Sequence, residues 1–253
     1  MDEELIKTLK YLHLGGLQKH WDQYLALASQ KRMSHVKLLR HVLDEEMKIK
    51  QDNARRLRIQ RADIPELLDI QTFPFNRQPK LDRKKVISLY DGFDYMTQSQ
   101  NIIWMGPTGC GKTGLATGFL LQAISRGYTG RFVHFHSLIH ELFASVADHS
   151  EQKVLKRYLA YDCLVIDEIG YVEVEPVQVG LFFSLLQQRH RKKPTLITSN
   201  LGFSEWRTFL KNDHLTAALI DRLTENSHVI NMKNCLSLRP KLCNELPAQS
   251  PTD

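Results

Sequence analysis

An eight-residue run near the middle of the chain constrains its fold more than any other feature. Residues 106–113 fit the pattern G-x-x-x-x-G-K-[ST] of a phosphate-binding loop. The apolar segment 101–105 before this run predicts a buried strand, and the segment 112–126 predicts a helix. Glycines let successive backbone N–H groups converge on phosphate oxygens, and the N-terminus of the following helix adds partial positive charge. The run therefore predicts a binding site for a nucleoside triphosphate.

The positions of this loop have distinct expected roles. The Lys112 ammonium reaches the β- and γ-phosphates, and the Thr113 hydroxyl is a ligand for Mg²⁺. The backbone of the remaining loop residues forms the phosphate cradle. The expected nucleotide-binding residues of the loop are Gly106, Pro107, Thr108, Gly109, Cys110, Gly111, Lys112 and Thr113.

From about residue 84 onward, apolar strands alternate with amphipathic helices. The predicted strands are 101–105, 131–135, 163–167, 195–199 and 228–232, and the predicted helices are 112–126, 137–147, 151–160, 177–191 and 213–224. This alternation predicts an α/β fold with a parallel five-stranded sheet and ligands at the carboxyl ends of its strands. About twenty residues follow the last strand, too few for a separate C-terminal helical lid.

The chain divides into four predicted segments. Residues 1–63 carry apolar side chains at helical spacing and predict a small all-α N-terminal domain. Residues 64–83 contain three prolines and are expected to form a linker. Residues 84–243 form the predicted ATPase domain, and 244–253 a flexible tail. The linker residues expected to pack onto the ATPase domain are Leu67, Leu68, Phe73 and Phe75.

Two polar strand ends supply the expected catalytic groups. The apolar strand 163–167 ends in Asp167, which is placed to hold Mg²⁺, and Glu168 follows as the group that polarises an attacking water. A solvated loop carboxylate is the alternative for Glu168. Asn200 follows the next strand and is a candidate for contact with the γ-phosphate, although Asn is also a common turn residue.

Arg222 lies near the end of a predicted helix and is a candidate to stabilise the charge that develops during phosphoryl transfer in a neighbouring subunit. Its position alone is equally compatible with a salt bridge to Asp221 or Glu225.

Charge and cysteine content narrow the class of protein. The net charge is +6, and residues 31–61 contain ten Lys and Arg against four Asp and Glu, which equals the whole surplus. This surplus of positive charge favours a polyanionic partner.

No apolar run approaches the ~20 residues of a membrane span, and the acidic N-terminus lacks the pattern of a secretory signal. The four cysteines are widely spaced, as expected for reduced thiols in a cytoplasmic protein.

Two histidines, His134 and His136, lie two residues apart on a predicted strand and are therefore expected on the same face. No carboxylate or cysteine lies close to them in the sequence. Packing or surface placement is therefore favoured over a metal site.

The motifs together resemble those of the IstB-type transposition helper ATPases, AAA+ proteins close to the DnaC-type helicase loaders. The resemblance covers nearly all of residues 5–240. Its matching stretches are Asn101–Thr113, Leu164–Tyr171, Ile197–Asn200, Phe203–Trp206 and Ala218–Leu223.

This resemblance implies an ATPase that uses ATP and Mg²⁺, assembles as a ring or helix on duplex DNA, bends the DNA and recruits a partner transposase. It implies that Asn200 is sensor I and that Arg222 is an arginine finger acting in trans. The sequence departs from the family pattern at two places. Gly114 stands where the family usually has His after the loop threonine. Residues 235–239 stand where the family has Gly-x-Ser-Tyr-Arg, and the Arg of that pattern corresponds to Arg239, the sensor II candidate beside the nucleotide.

DNA contacts are expected mostly at phosphates, because no helix-turn-helix or zinc finger is evident. Lys153, Lys156 and Arg157 share one face of a predicted helix and are the first candidates. The basic stretch 31–61 is the second candidate. For both, a solvated helix face is the alternative.

Three other functions remain open from the sequence. A DnaC-like replicative helicase loader would prefer single strands, and the absence of Phe, Tyr and Trp from residues 31–61 favours duplex DNA instead. A small-molecule P-loop kinase would need an acceptor pocket and commonly an Arg-rich lid, and neither is apparent in the sequence. An ATP-gated DNA scaffold would bind both ligands with negligible turnover.

Overall fold

A computed structural model describes residues 1–171 and 174–239. The predicted tail 244–253 lies outside the described residues. The chain separates into two compact units, the first comprising Met1–Gln60 and the second beginning at Arg61. This boundary is close to residue 63, the predicted end of the N-terminal domain.

The first unit is entirely helical. Its helices are α1 (Glu3–Tyr11), α2 (Gly15–Lys19), α3 (Trp21–Gln30) and α4, which extends over His35–Ala62. Asp2 caps α1 by accepting a hydrogen bond from the Leu5 N–H at 2.7 Å, as expected for a carboxylate at a helix start. The buried Glu46 carboxylate of α4 accepts the Leu17 N–H of α2 at 2.7 Å and so joins these two helices.

The second unit begins with two 3₁₀ turns, Ile70–Thr72 and Phe75–Arg77, and continues as an α/β domain. Its elements are α5 (Arg83–Gly92), α6 (Asp94–Thr97), β1 (Asn101–Met105), α7 (Lys112–Ser125), β2 (Gly130–His134), α8 (Phe135–Ala147), α9 (Glu151–Ala160), β3 (Cys163–Ile169), α10 (Pro176–Arg189), β4 (Thr195–Ser199), α11 (Phe203–Leu210), α12 (Asp213–Glu225) and β5 (Ser227–Asn231). The strands pair in parallel in the order β2-β3-β4-β1-β5. The predicted α/β fold with a five-stranded parallel sheet is confirmed.

The sheet is buried on both faces, which explains its nearly continuous apolar strands. On one face Trp104 packs against Phe119 of α7, with ring centroids 5.5 Å apart. The opposite face packs against α8, α10, α11 and α12 through a single apolar cluster. Strand residues in this cluster include Ile103, Met105, Leu164, Ile166 and Ile197.

Three predictions of local structure were wrong. Helices α5, α6 and α11 were not expected, and β2 ends at His134 so that His136 lies in α8 rather than on the strand. Leu67 was expected to pack inward, but it is 64% exposed. Phe73 from the same segment is buried, because it packs beside the phosphate-binding loop.

An irregularity in β3 directs the functional carboxylates. In the pairing with β4, Ile166 lies opposite Ile197 and Ile169 lies opposite Ser199. Between these two pairs β3 therefore has one residue more than β4. Glu168 takes a φ of +65° within this bulge. Bulges re-aim side chains beside functional sites, and a positive φ at Glu is a strained conformation that the surrounding structure has to stabilise.

No helix among the described residues combines the length and the apolar character needed to span a membrane.

A buried arginine ties α10 to the sheet and to α9. Arg189 is 1% exposed, and burial lowers its pKa to about 10, which leaves it charged at neutral pH. Its guanidinium donates hydrogen bonds of 2.7 to 3.1 Å to the Thr195 hydroxyl and to the carbonyls of Tyr158, Tyr161 and Pro194. One side chain therefore donates to three backbone carbonyls, at the end of α9 and in the segments that follow α9 and precede β4.

Arg189→Ala is expected to destabilise the protein by about 3–5 kcal/mol, because it leaves several buried acceptors unpaired. Thermal unfolding monitored by circular dichroism should show a melting temperature lower by roughly 10 °C. The exposed neighbour Arg191, which pairs with Glu225, provides the control, and Arg191→Ala should change stability by less than about 1 kcal/mol. Equal losses in the two variants would contradict the structural role of Arg189.

Candidate nucleotide-binding and hydrolysis site

The loop between β1 and α7 is shaped by its glycines. Gly109 has φ +80° and Gly111 has φ +96°, a region that favours glycine. A Cβ on Gly111 would also lie 2.7 Å from the Phe73 ring. The loop is therefore held in a cradle that other residues could not adopt without strain, directly before the N-terminus of α7.

Lys112 occupies the centre of this cradle. Its Nζ donates hydrogen bonds to the carbonyls of Gly106 and Pro107, both at 2.8 Å, and the side chain is 8% exposed. Burial lowers the pKa of Lys112, and the nearby charges of Asp167 and Glu168 partly oppose this. Two neutral carbonyls hold the ammonium without cancelling its charge, so it is available to an anion in the loop.

Hydroxyl groups from two elements hold Asp167 at the end of β3. The Thr113 hydroxyl donates to Oδ1 at 3.0 Å, and the Thr198 hydroxyl donates to Oδ1 at 2.5 Å. Asp167 is 1% exposed, and burial raises the pKa of its carboxyl group, while these hydrogen bonds oppose the shift. A hydroxyl and a carboxylate side by side are hard oxygen donors, the set that fits Mg²⁺.

Glu168 is positioned through its backbone. Its N–H donates to the Thr198 hydroxyl at 3.0 Å, so Thr198 connects the two acidic residues of β3. The Glu168 side chain is 44% exposed and lines a cavity of about 440 Å³ in front of the loop. Its carboxylate can therefore meet both a water molecule and a ligand in this cavity.

Part of the cavity wall, beside the phosphate-binding loop, is apolar. Leu68, Phe73, Pro74 and Leu238 line it, together with Arg77 and Arg239. Gln78, which is 1% exposed, fastens this wall to the loop. Its amide nitrogen donates to the carbonyls of Cys110 (3.1 Å) and Leu236 (2.6 Å), and its amide oxygen accepts the Leu236 N–H at 2.9 Å.

The segment after β5 folds back over the phosphate-binding loop. The Leu238 N–H donates to the Gly109 carbonyl at 2.8 Å. This contact brings Arg239, the sensor II candidate, to the cavity wall. The segment reaches the site even though it departs from the family's residue pattern.

Asn200 and Arg222 do not line this cavity within their own chain. The Asn200 Oδ1 is buried without a hydrogen-bond partner among the described residues, and it lies against Gly170. Arg222 donates to the Ala218 carbonyl at 3.1 Å and lies over the Phe183 ring at 5.1 Å. Glu225, one of its two suggested salt-bridge partners, instead pairs with His190 and Arg191.

The three basic residues of α9 that are candidates for DNA contact differ in their surroundings. Arg157 forms a salt bridge with Glu141 and lies 5.1 Å from the Tyr158 ring. Lys153 and Lys156 are exposed. The positive charge that this helix offers to solvent is therefore mainly that of the two lysines.

Several site residues were missed by the sequence reasoning. Thr198 links both acids, and the Tyr171 hydroxyl shares a 2.6 Å hydrogen bond with the Thr108 hydroxyl of the loop. His134 lies beside Asp167 in the β2–β3 register. The hydroxyl two residues before Asn200 was a usable signal for Thr198, but Gln78 had no local signal.

Comparison with known proteins agrees with this geometry. The family model described as IstB-like ATP binding protein matches residues 7–244. The chain belongs to this family. The IstB-like protein is 30% identical over 233 residues to the putative ATP-binding protein of insertion sequence IS5376 from Geobacillus stearothermophilus, covering 92% of each chain. It is 31% identical to the IS21 counterpart from Pseudomonas aeruginosa, covering 91% of this chain and 86% of that one.

Solved structures show the same fold. The IstB-like protein is similar to DnaI, with a TM-score of 0.57 and 21% identity over 66% of this chain and 91% of that chain. It is also similar to AMPPCP-bound DnaA from Aquifex aeolicus, with a TM-score of 0.55 and 15% identity over 68% and 51% of the two chains. The chain is thus an ATP-binding protein with an AAA+ fold.

Proposed function

We propose that this IstB-like protein hydrolyses ATP, assembles on duplex DNA in an ATP-dependent manner, and bends that DNA to recruit and stimulate a partner transposase. The observation that carries the proposal is the arrangement of Glu168. Its side chain faces the cavity beside a complete phosphate-binding loop, while Asp167 next to it is held by two hydroxyls. Sites that bind nucleotide without hydrolysis have no need of this strained, cavity-facing carboxylate.

The lining of the cavity offers groups that suit both the base and the phosphates of ATP. The apolar wall formed by Leu68, Phe73 and Leu238 suits a nucleobase, and the loop with Lys112 suits the phosphates. Thr113 and Asp167 would hold Mg²⁺, which supplies charge neutralisation at the β- and γ-phosphates. Arg239 adds positive charge at the cavity wall.

Hydrolysis in this proposal depends on a short series of contacts. Glu168 accepts a proton from the attacking water, and Lys112 stabilises negative charge on the γ-phosphate. Thr198 keeps both carboxylates of β3 in position. Asn200, at the end of the adjacent strand, is assigned the sensor I role, for which its side chain has to turn from Gly170 into the cavity. Its amide nitrogen would then donate to the γ-phosphate, or its Oδ1, which has no partner among the described residues, would accept from the attacking water.

Glu168→Gln tests this function directly. We expect ATP turnover to fall by about 100-fold or more, while ATP binding is retained, because only the proton acceptor is removed. ATP hydrolysis and equilibrium binding of a fluorescent ATP analogue measure the two effects separately. Glu151→Gln on α9 is the control. Turnover that is near zero in both the wild type and Glu168→Gln would instead support an ATP-gated scaffold.

Assembly follows from the position of Arg222. Arg222 does not line the cavity of its own chain, and this supports a role on the nucleotide of another copy. Such a contact joins two different surfaces and propagates into a ring or a helical filament. ATP then lies at each junction between copies.

The DNA contacts in this proposal are to phosphates. Lys153 and Lys156 on α9 are the exposed cations assigned to this role. Lys153→Glu combined with Lys156→Glu should weaken duplex binding and lower the slope of log affinity against log salt by about 2. Fluorescence anisotropy at several salt concentrations measures this slope. Lys80→Glu combined with Lys192→Glu makes the same change in net charge, and an equal loss in this control would remove α9 from the DNA interface.

A DnaC-like helicase loader is the second candidate. The crystal structure of the DnaC helicase loader has a TM-score of 0.51 and 21% identity to this chain, over 59% of this chain and 87% of that one. A loader should prefer single-stranded DNA, whereas the proposed function requires preference for duplex. Competition between the two forms of one DNA sequence distinguishes the candidates.

A further inference from the structure

The β2–β3 pairing creates a mixed cluster of nitrogen and oxygen ligands beside the phosphate-binding loop. The parallel register places His134 opposite Asp167. The His134 Nδ1 lies 3.5 Å from the Asp167 Oδ2 and 3.6 Å from the Glu168 Oε2. One ligand atom from each of the three residues falls within 4.8 Å of the others. Residues distant in sequence thus converge on one small volume.

The His134 Nδ1 has no partner for its hydrogen-bonding capacity. The atom is buried and makes no hydrogen bond to any described residue. Its distances to the two carboxylates exceed those of a good N–H···O bond, about 2.7–3.2 Å. A buried polar atom of this kind requires an explanation, and a bound water or ion is one that places a ligand between the three side chains. The gap between the three ligand atoms is therefore a place for a small ligand.

The spacing of the ligand atoms fits a tetrahedral transition-metal ion. Bonds of roughly 2.0–2.2 Å to imidazole nitrogen and carboxylate oxygen put neighbouring ligand atoms about 3.4 Å apart. The two distances from His134 Nδ1 are 3.5 and 3.6 Å. An imidazole combined with two carboxylates is a zinc-type donor set, whereas Mg²⁺ takes oxygen ligands in octahedral geometry.

We propose that His134, Asp167 and Glu168 form a binding site for Zn²⁺ or a similar transition-metal ion, which overlaps the Mg²⁺ site of the ATPase at Asp167. The ion uses Asp167 Oδ2, because this oxygen faces His134 and has only the longer contact of the Thr113 hydroxyl, at 3.2 Å, whereas Oδ1 accepts the hydroxyls of Thr198 at 2.5 Å and Thr113 at 3.0 Å. These hydroxyls orient the carboxylate, as outer-shell partners do in metal sites. Water or substrate completes the coordination.

Occupancy of this site turns off hydrolysis, a consequence that rests on the proposed function. An ion bound to Glu168 takes the lone pairs that accept the proton of the attacking water. The same ion competes for Asp167 with the oxygen-ligated Mg²⁺ of the ATP complex. Zinc therefore inhibits the ATPase in proportion to its occupancy of the three-residue cluster.

The test uses the full chain without nucleotide, titrated with Co²⁺ as a spectroscopic substitute and with Zn²⁺ by calorimetry. We expect the wild type to bind one equivalent of Co²⁺ per chain with a visible d–d absorption of the intensity typical of tetrahedral Co²⁺. His134→Ala should lose this equivalent. The affinity for this equivalent should fall by at least about 100-fold, since removal of a direct ligand exceeds the usual loss from an outer-shell change. His136→Ala is the matched control, because the His136 ring stacks on His134 at 5.6 Å but lies outside the cluster. Its titration should match that of the wild type.

A second measurement compares ATP turnover with and without Zn²⁺ at fixed Mg²⁺. Inhibition should be reversed by a zinc-selective chelator and should be absent in His134→Ala, whose folding is verified by its ATP binding. Identical metal titrations of the wild type and His134→Ala would overturn the site and leave a bridging water as the occupant. Metal binding without any ATP turnover in the wild type would instead contradict the proposed function and leave the metal site standing.

Discussion

Lys112→Ala is expected to abolish ATP binding, with an affinity lower by roughly 1,000-fold, because removal of a buried charge that pairs with phosphate costs several kcal/mol. In the nucleotide-free protein Lys112 contacts only two carbonyls of its own loop among the hydrogen bonds described. Its removal should therefore leave the fold intact. Calorimetric titration with ATP and Mg²⁺ measures the loss.

The thermal stability of the same variant provides an independent check. Saturating ATP should raise the melting temperature of the wild type, because a ligand that binds the folded state stabilises it, and should have no effect on Lys112→Ala. Lys192→Ala, at an exposed lysine after α10, should respond to ATP as the wild type does. Normal ATP affinity in Lys112→Ala would contradict the assignment of residues 106–113 as the phosphate-binding loop.

Arg222→Ala is expected to lower ATP turnover by about 1,000-fold while ATP binding stays nearly unchanged, because an arginine finger acts on the transition state. The side chain lies on the Phe183 ring and does not reach its own cavity. Turnover and ATP affinity are measured on the assembled protein with duplex DNA. Arg207→Ala, at an exposed arginine of α11, is the control.

Mixing two inactive variants tests whether the site is shared. A junction between Arg222→Ala and Lys112→Ala copies contains one intact loop facing one intact arginine. The mixture should therefore recover part of the turnover that each variant lacks alone. No recovery at any mixing ratio, with assembly intact, would exclude action of Arg222 in trans.

Local patterns in the sequence were sufficient to predict the sheet and the nucleotide-binding loop. A strand, a glycine-rich loop and a helix follow one another within about 25 residues, so the position of Lys112 depends on its neighbours in sequence. The carboxyl ends of parallel strands meet at one edge, and this rule placed Asp167 near Thr113. The structure has a hydrogen bond of 3.0 Å between these two side chains.

Contacts between distant segments could not be predicted in this way. Gln78 lies in a proline-containing segment, and its role depends on the Leu236 segment returning to the loop 158 residues later. His134 was interpreted as a packing or surface residue because no acid is near it in sequence. Its neighbours Asp167 and Glu168 come from another strand, and only the β2–β3 register brings them together.

Arg222 illustrates a different limit. Its helix was predicted correctly, and the sequence left its role open between a salt bridge and a contact in trans. The salt bridge depends on side-chain packing, and here Glu225 pairs instead with His190 and Arg191 in the turn that follows α10. A contact in trans depends on a second copy of the chain, which the sequence of one copy does not position.

Sedimentation velocity of the full chain with a fluorescently labelled DNA duplex tests most directly whether ATP joins copies of the protein on DNA. With Mg²⁺ and a non-hydrolysable ATP analogue, we predict that the duplex sediments with several copies of the chain, and that it sediments alone without nucleotide or with Lys112→Ala. A chain that remains a single copy and leaves the duplex unbound at saturating ATP and Mg²⁺ would contradict the account.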